Sequence, residues 1–142
     1  MRVLIASGAG GGSAKKSIGK YFHLKEFGDA LKELGVDYKL VKETDYVTGF
    51  PNKNPKSWFT KKKFHSLIND YKPDAVFVDR QSHFGLETIK LGIPLFVYLR
   101  GNYWQEVEWA KKTIYTDPLM KTVVNLRHKI AEEVFEKCDG IF

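Results

Sequence analysis

The chain has 142 residues, about one domain, and a domain of that size buries enough apolar surface to need no disulfide or metal. Hydrophobic residues at 43% and charged residues at 28% exclude a disordered tail, a collagen-like repeat and a low-complexity linker. The net charge of +6 is local: no carboxylate lies between Asp45 and Asp70, where Lys53, Lys56, Lys61, Lys62 and Lys63 fall together.

In chain order, Val3-Leu4-Ile5-Ala6 is a short apolar run closed by Gly8, the pattern of a strand buried on both faces. It is too short, and too soon followed by glycine, for a signal peptide. Helical spacing runs from about Ile18 to Leu34, with Phe27, Leu31 and Leu34 on one face and Gly35 where a left-handed C-cap belongs. Val36 to Val41 alternates as a second strand. Glu43 to Thr60 has no period, carries Gly49, Pro51 and Pro55, and reads as a long loop. Phe64, Leu67, Ile68 and Tyr71 then mark a short amphipathic helix ended by Pro73.

Ala75 to Val78 is a third buried strand, Phe84 to Leu91 a short helix closed by Gly92, and Pro94 to Leu99 a fourth strand. An aromatic segment (Tyr103, Trp104, Trp109) precedes helical spacing through Val123, Ile130 and Val134 to about Lys137, and Asp139 to Phe142 opens a fifth strand. Strands alternating with helices require a parallel sheet covered on both faces. The expected fold is one α/β, Rossmann-like three-layer domain over residues 1–142, its sheet of about five strands in the order 3-2-1-4-5. No run approaches the roughly 18 apolar residues of a membrane span. Cys138 is the one cysteine, and no Cys/His cluster has zinc spacing, so no metal site and a reducing, cytoplasmic setting are expected.

Ligands of such sheets bind outside the carboxyl ends of the strands, which selects the loops Ser7–Ser17, Glu43–Thr60, Asp79–His83 and Arg100–Glu106. In the first, Gly10, Gly11, Gly12 and Ser13 would let backbone N–H groups approach an anion at a helix N-terminus; a plain connecting turn is the alternative. Gly8 and Gly10 match the start of a dinucleotide fingerprint, but Ser13 replaces its third glycine, and Glu43, which ends the second strand where a ribose-binding acid would sit, lies about 30 residues on rather than roughly 20. In the third loop Arg80 and His83 are candidates for hydrogen-bonding a sugar or phosphate, against the alternative that Asp79 or Ser82 merely caps the next helix. In the fourth, Arg100 is a fixed cationic fork for phosphate or carboxylate and Glu106 a carboxylate one turn into the next helix, the catalytic candidates. Tyr103 and Trp104 offer flat faces to a sugar ring. An Arg100–Glu106 ion pair over packed aromatics is the competing reading.

Lys72-Pro73-Asp74-Ala75-Val76-Phe77, Gly92-Ile93-Pro94-Leu95-Phe96-Val97, Arg100-Gly101 and Cys138-Asp139-Gly140-Ile141-Phe142 follow one another in an order and spacing that resembles the N-terminal half of a GT-B glycosyltransferase of the group 1 (family 4) kind, nearest its archaeal members. The resemblance covers essentially the whole chain. It departs in having Arg100 where many members have a histidine, and it implies a second, donor-binding Rossmann-like domain that these residues do not include. It further implies sugar transfer from a nucleotide-sugar donor to a glycan or lipid-linked acceptor without a metal or other cofactor, and little activity from this chain alone.

Two other readings stand beside it. One is a stand-alone nucleotide- or dinucleotide-binding domain. The other is a basic module for membrane or nucleic acid, for which no nucleic-acid motif is present, so no nucleic-acid partner is expected. Trp58 beside Lys61, Lys62 and Lys63 suggests a peripheral contact with an anionic membrane at its cytoplasmic face, a solvated lysine face being the alternative.

Overall fold

The computed structural model describes residues 1–8, 14–47, 51 and 62–142. Its elements are β1 (Arg2–Ser7), α1 (Ala14–Glu33), β2 (Asp37–Lys42), a 3-10 turn at Glu43–Asp45, α2 (Lys62–Tyr71), β3 (Ala75–Val78), α3 (His83–Lys90), β4 (Leu95–Val97), α4 (Tyr103–Thr113), α5 (Pro118–Lys137) and β5 (Gly140–Ile141). The strands form one parallel sheet. Apolar clusters line both of its faces: Val3, Ile5 and Leu24 on the α1 side, and Leu4, Ala6, Val76, Val78, Leu95 and Val97 against α2, α3 and α5 on the other. The chain is therefore an α/β, Rossmann-like three-layer domain.

The strand order corrects the expected 3-2-1-4-5. It is β2-β1-β3-β4-β5, with β3 between β1 and β4. The reason is polarity. Ala75-Val76-Phe77-Val78 is apolar at every position and needs cover on both faces. β2 exposes Asp37, Lys39 and Lys42, as an edge strand can. Placing β3 at the edge would expose it and bury Lys39 instead. Ile5 consequently lies between Leu40 on one side and Phe77 on the other. Two aspartates of the motifs noted above stitch the strand starts together: Arg2 N–H donates to Asp74 Oδ2 at 2.7 Å and Leu95 N–H to Asp139 Oδ2 at 2.8 Å.

Several boundaries move. α1 begins at Ala14, and among its described side chains the buried positions are Leu24 and Gly28; Leu34 lies past its end and is 80% exposed. Gly28 is required because a Cβ there would come within 2.3 Å of the Tyr38 ring. Gly35 closes the helix at φ +79°, with Val36 N–H donating to Leu31 O. The aromatic segment after β4 is itself helical, as α4. A separate start for α5 is written in Asp117, whose side chain accepts from Met120 N–H, followed by Pro118 in the first turn. Among the described residues no helix is long and apolar enough to cross a membrane.

Phe64 of α2 is fully buried and meets Phe84 of α3 edge to face, ring centroids 4.9 Å apart. Phe64→Ala should cost about 3–5 kcal/mol in urea unfolding. Phe22→Ala, on the outer side of α1 and 55% exposed, should stay within about 0.5 kcal/mol of the parent. Equal midpoints for the two variants would remove α2 from the core.

Candidate functional site at the carboxyl ends of β1 and β3

The strand order reverses between β1 and β3: α1 covers one face on the way to β2, whereas α2, α3 and α5 cover the other. The carboxyl ends of these two strands therefore border the crevice in which ligands of such folds sit. This changes which predicted residues lie close to it. In the expected order the strand bearing Arg100 would neighbour β1. In the observed one β3 intervenes, setting that loop one strand spacing, roughly 4.8 Å, farther out. Arg80 takes the inner place.

A buried network fills this end of the sheet. Glu43 is fully buried; Arg80 Nε donates to its Oε1 at 2.7 Å, Arg80 Nη2 donates to the same oxygen, and Ser82 Oγ donates to Oε2 at 2.7 Å. Burial pushes the Glu43 carboxyl above the usual carboxylate range, while the Arg80 charge and the Ser82 and Arg80 hydrogen bonds pull it back. Gly8 N–H donates to Asp79 Oδ1. A Cβ on Gly8 would lie 2.3 Å from Arg80 Nε, so this glycine makes room for the guanidinium rather than for a ligand. Ser82 also accepts from Phe84 N–H at 3.2 Å and caps α3, as the alternative reading of this loop held. His83 is the first residue of that helix and half-buried.

Glu43 is the residue that sequence reasoning considered only as a ribose-binding acid. With its carboxylate enclosed by Arg80 and Ser82, it ties β2 to the loop after β3 and is not free to take a ribose. The signal was present, an acid closing a strand next to a polar loop, but its partner lies 37 positions away in the chain.

The other predicted residues divide. Asn102 caps α4, accepting from Gln105 N–H at 3.2 Å. Tyr103, expected to face a sugar, is instead packed in the helical layer: its ring stacks on His128 of α5 and meets Phe135 edge to face. Burial pushes its phenol up to about 12. Trp104 is half-exposed: its ring packs on Phe135, centroids 5.4 Å apart, and leaves the remainder of its surface to solvent. Glu106 is exposed in the first turn of α4, beside Gly101 at φ +85°. Arg100 and Glu106 form no ion pair among the described residues; the Arg100 guanidinium lies 5.3 Å from the Tyr98 ring centroid, on the α1 side of the sheet. The two catalytic candidates are thus not brought together. Gly10, Gly11, Gly12, Ser13, Trp58 and Lys61 lie outside the described residues, while Lys62 opens α2 and Lys63 is exposed on it. Among the described residues no group of His, Cys, Asp or Glu side chains is arranged to hold a metal ion.

No family model, curated protein or solved structure matches the chain. The assignment of the fold class rests on the strand order and layers themselves.

Two outcomes follow from this geometry. Glu43→Ala removes the acceptor shared by the half-buried Arg80 and by buried Ser82 and should cost about 1–3 kcal/mol, whereas the Glu43→Leu, Arg80→Met double variant should recover most of that loss in thermal unfolding. An unaltered Tm in Glu43→Ala would mean the network does not hold the loop. Tyr103 supplies a pH test. Unfolded tyrosine ionises near 10 while native Tyr103 keeps its proton to about 12, so its contribution is complete below pH 10 and is lost as pH rises through 12. That loss, up to about 3 kcal/mol, should be absent from Tyr103→Phe in alkaline unfolding series.

Proposed function

We propose that the chain is the acceptor-side half of a glycosyltransferase, moving a sugar from a nucleotide-sugar donor to a glycan or lipid-linked acceptor in a cleft shared with a second, donor-binding Rossmann-like domain. The observation that carries this reading is the polar loop Asp79–His83, fixed by Glu43 and Gly8 at the reversal of the strand order. Supporting it, the motif segments behind the resemblance lead into β3, β4 and β5. A rigid polar loop there suits a site that presents fixed hydrogen-bonding groups to a sugar substrate without reorganisation.

In this reading Gly10 to Ser13 offer backbone donors, Arg80 and His83 border the acceptor, Trp104 provides an apolar face for a sugar ring, and Arg100 and Glu106 lie on the outer side of the cleft. The donor sugar is a substrate, with no further cofactor called for. The enzyme works in the cytoplasm, with Trp58 and Lys61 to Lys63 touching an anionic membrane that holds a lipid-linked acceptor.

The dinucleotide reading is the weaker one because Glu43 is already committed to Arg80 and Ser82. Ligand-observed NMR on the 142-residue chain separates the two. Oligosaccharides should show saturation transfer that Trp104→Ala abolishes without unfolding the exposed site, and NAD should show none. Tight NAD binding, or no saccharide signal, would overturn the proposal.

A further inference from the structure

At the carboxyl ends of β1, β3 and β4, three polar side chains form a row on the α1 side of the sheet. The pleat sets this row. Leu4 and Ala6 join the core beneath α2, α3 and α5, and Val3 and Ile5 the cluster beneath α1, so Ser7 faces α1. In β3, Val76 and Val78 face the first of these and Phe77 the second, which turns Asp79 toward α1. Ala6 pairs with Val78, so Asp79 comes beside Ser7. Val78 pairs with Val97, so Tyr98 is next, and the Arg100 guanidinium lies 5.3 Å from its ring centroid. Each step along the row is one strand spacing, roughly 4.8 Å.

The hydrogen bonding of this row is incomplete. Ser7 Oγ and Arg100 Nε are the two buried side-chain polar atoms without a partner among the described residues, and Ser7 is fully buried. Folded proteins rarely leave such groups unsatisfied, because each has given up its bonds to water. Between them, the Asp79 carboxylate accepts from Gly8 N–H and makes no other hydrogen bond among the described residues. The row opens to solvent at Tyr98, which is 39% exposed. There it meets an apolar groove of about 880 Å³ floored by Phe77 and Phe96, both half-buried. On the opposite face Val76, Val78, Leu95 and Val97 are fully buried.

We propose that Ser7, Asp79 and Arg100 form a subsite that grips vicinal hydroxyls of an uncharged sugar ring. This rests on the saccharide-binding reading above and names the part of the sugar that is recognised. Charge selects the ligand first. One carboxylate and one guanidinium balance, so an anionic or cationic ligand would leave a charge uncompensated in a largely buried place. Hydrogen-bonding capacity selects it next. A hydroxyl both donates and accepts, so one sugar hydroxyl donates to Asp79 while accepting from Arg100 Nε. Its neighbour on the ring reaches Ser7 Oγ, and both orphaned atoms are satisfied.

The test follows the Arg100 Nε–H resonance of the 142-residue chain by proton–nitrogen correlation NMR during titration with methyl glucoside. The resonance should shift saturably, and Ser7→Ala should weaken that binding about 10-fold. Asp79→Asn keeps an acceptor for Gly8 N–H but unbalances the charge. It should reverse the parent's preference for methyl glucoside over glucuronate. An Arg100 signal that methyl glucoside leaves unmoved, while the Trp104 indole responds to oligosaccharides, overturns the subsite and leaves the transferase reading intact. Silence at both positions overturns both. Tighter binding of glucuronate or inorganic phosphate than of methyl glucoside by the parent makes the row an anion site and overturns the proposal. Affinity indifferent to both Ser7→Ala and Asp79→Asn does so too.

Discussion

Strands that are apolar on both sides belong in the middle of a covered sheet, and this single constraint organises the molecule. β3 has no position that water can accept without cost, so it lies between β1 and β4. β2, with Asp37, Lys39 and Lys42 exposed, takes the edge. From that placement follow the reversal of the strand order between β1 and β3 and the choice of Asp79–His83 as the inner loop. The unequal cover of the two faces beyond β3 is the same constraint left half met.

Around the reversal the domain accepts an unusual burden for a small protein, a carboxylate buried at the end of β2. Glu43 is tolerable only because a guanidinium and a hydroxyl occupy both of its oxygens. Such a pair adds little net stability compared with apolar packing, but it fixes geometry: a strand end, a loop and a helix cap are held in one arrangement. Gly8 belongs to the same device, since any side chain there would displace Arg80. A loop held so firmly is suited to presenting polar groups to a ligand without reorganisation.

The aromatic residues after β4 show how similar side chains take different roles. Tyr103 turns inward between α4 and α5, where its ring packs on His128 and Phe135. Trp104, the next residue, is rotated by about 100° on the helix and stays half in solvent. The difference comes from where α4 begins, which Asn102 sets by capping it.

The sequence by itself determined the fold class, because the alternation of period-2 and helical spacing demands crossovers and a parallel sheet. Local chemistry also located the turn at Gly35 and the short helix at Phe64–Tyr71, and offered Ser82 or Asp79 as a cap for α3, of which the structure takes Ser82. The signals for a central β3 and for a helix start at Asp117-Pro118 were legible too, in the polarity of β2 and in the cap pair. What only the tertiary structure decided was pairing over distance. That Glu43 meets Arg80, that Arg100 faces α1 rather than Glu106, and that Phe77 and Phe96 look onto a groove depend on strand order and on which helix lies on which face. These contacts join residues far apart in the chain, for which hydrophobic periodicity, a local quantity, carries no information.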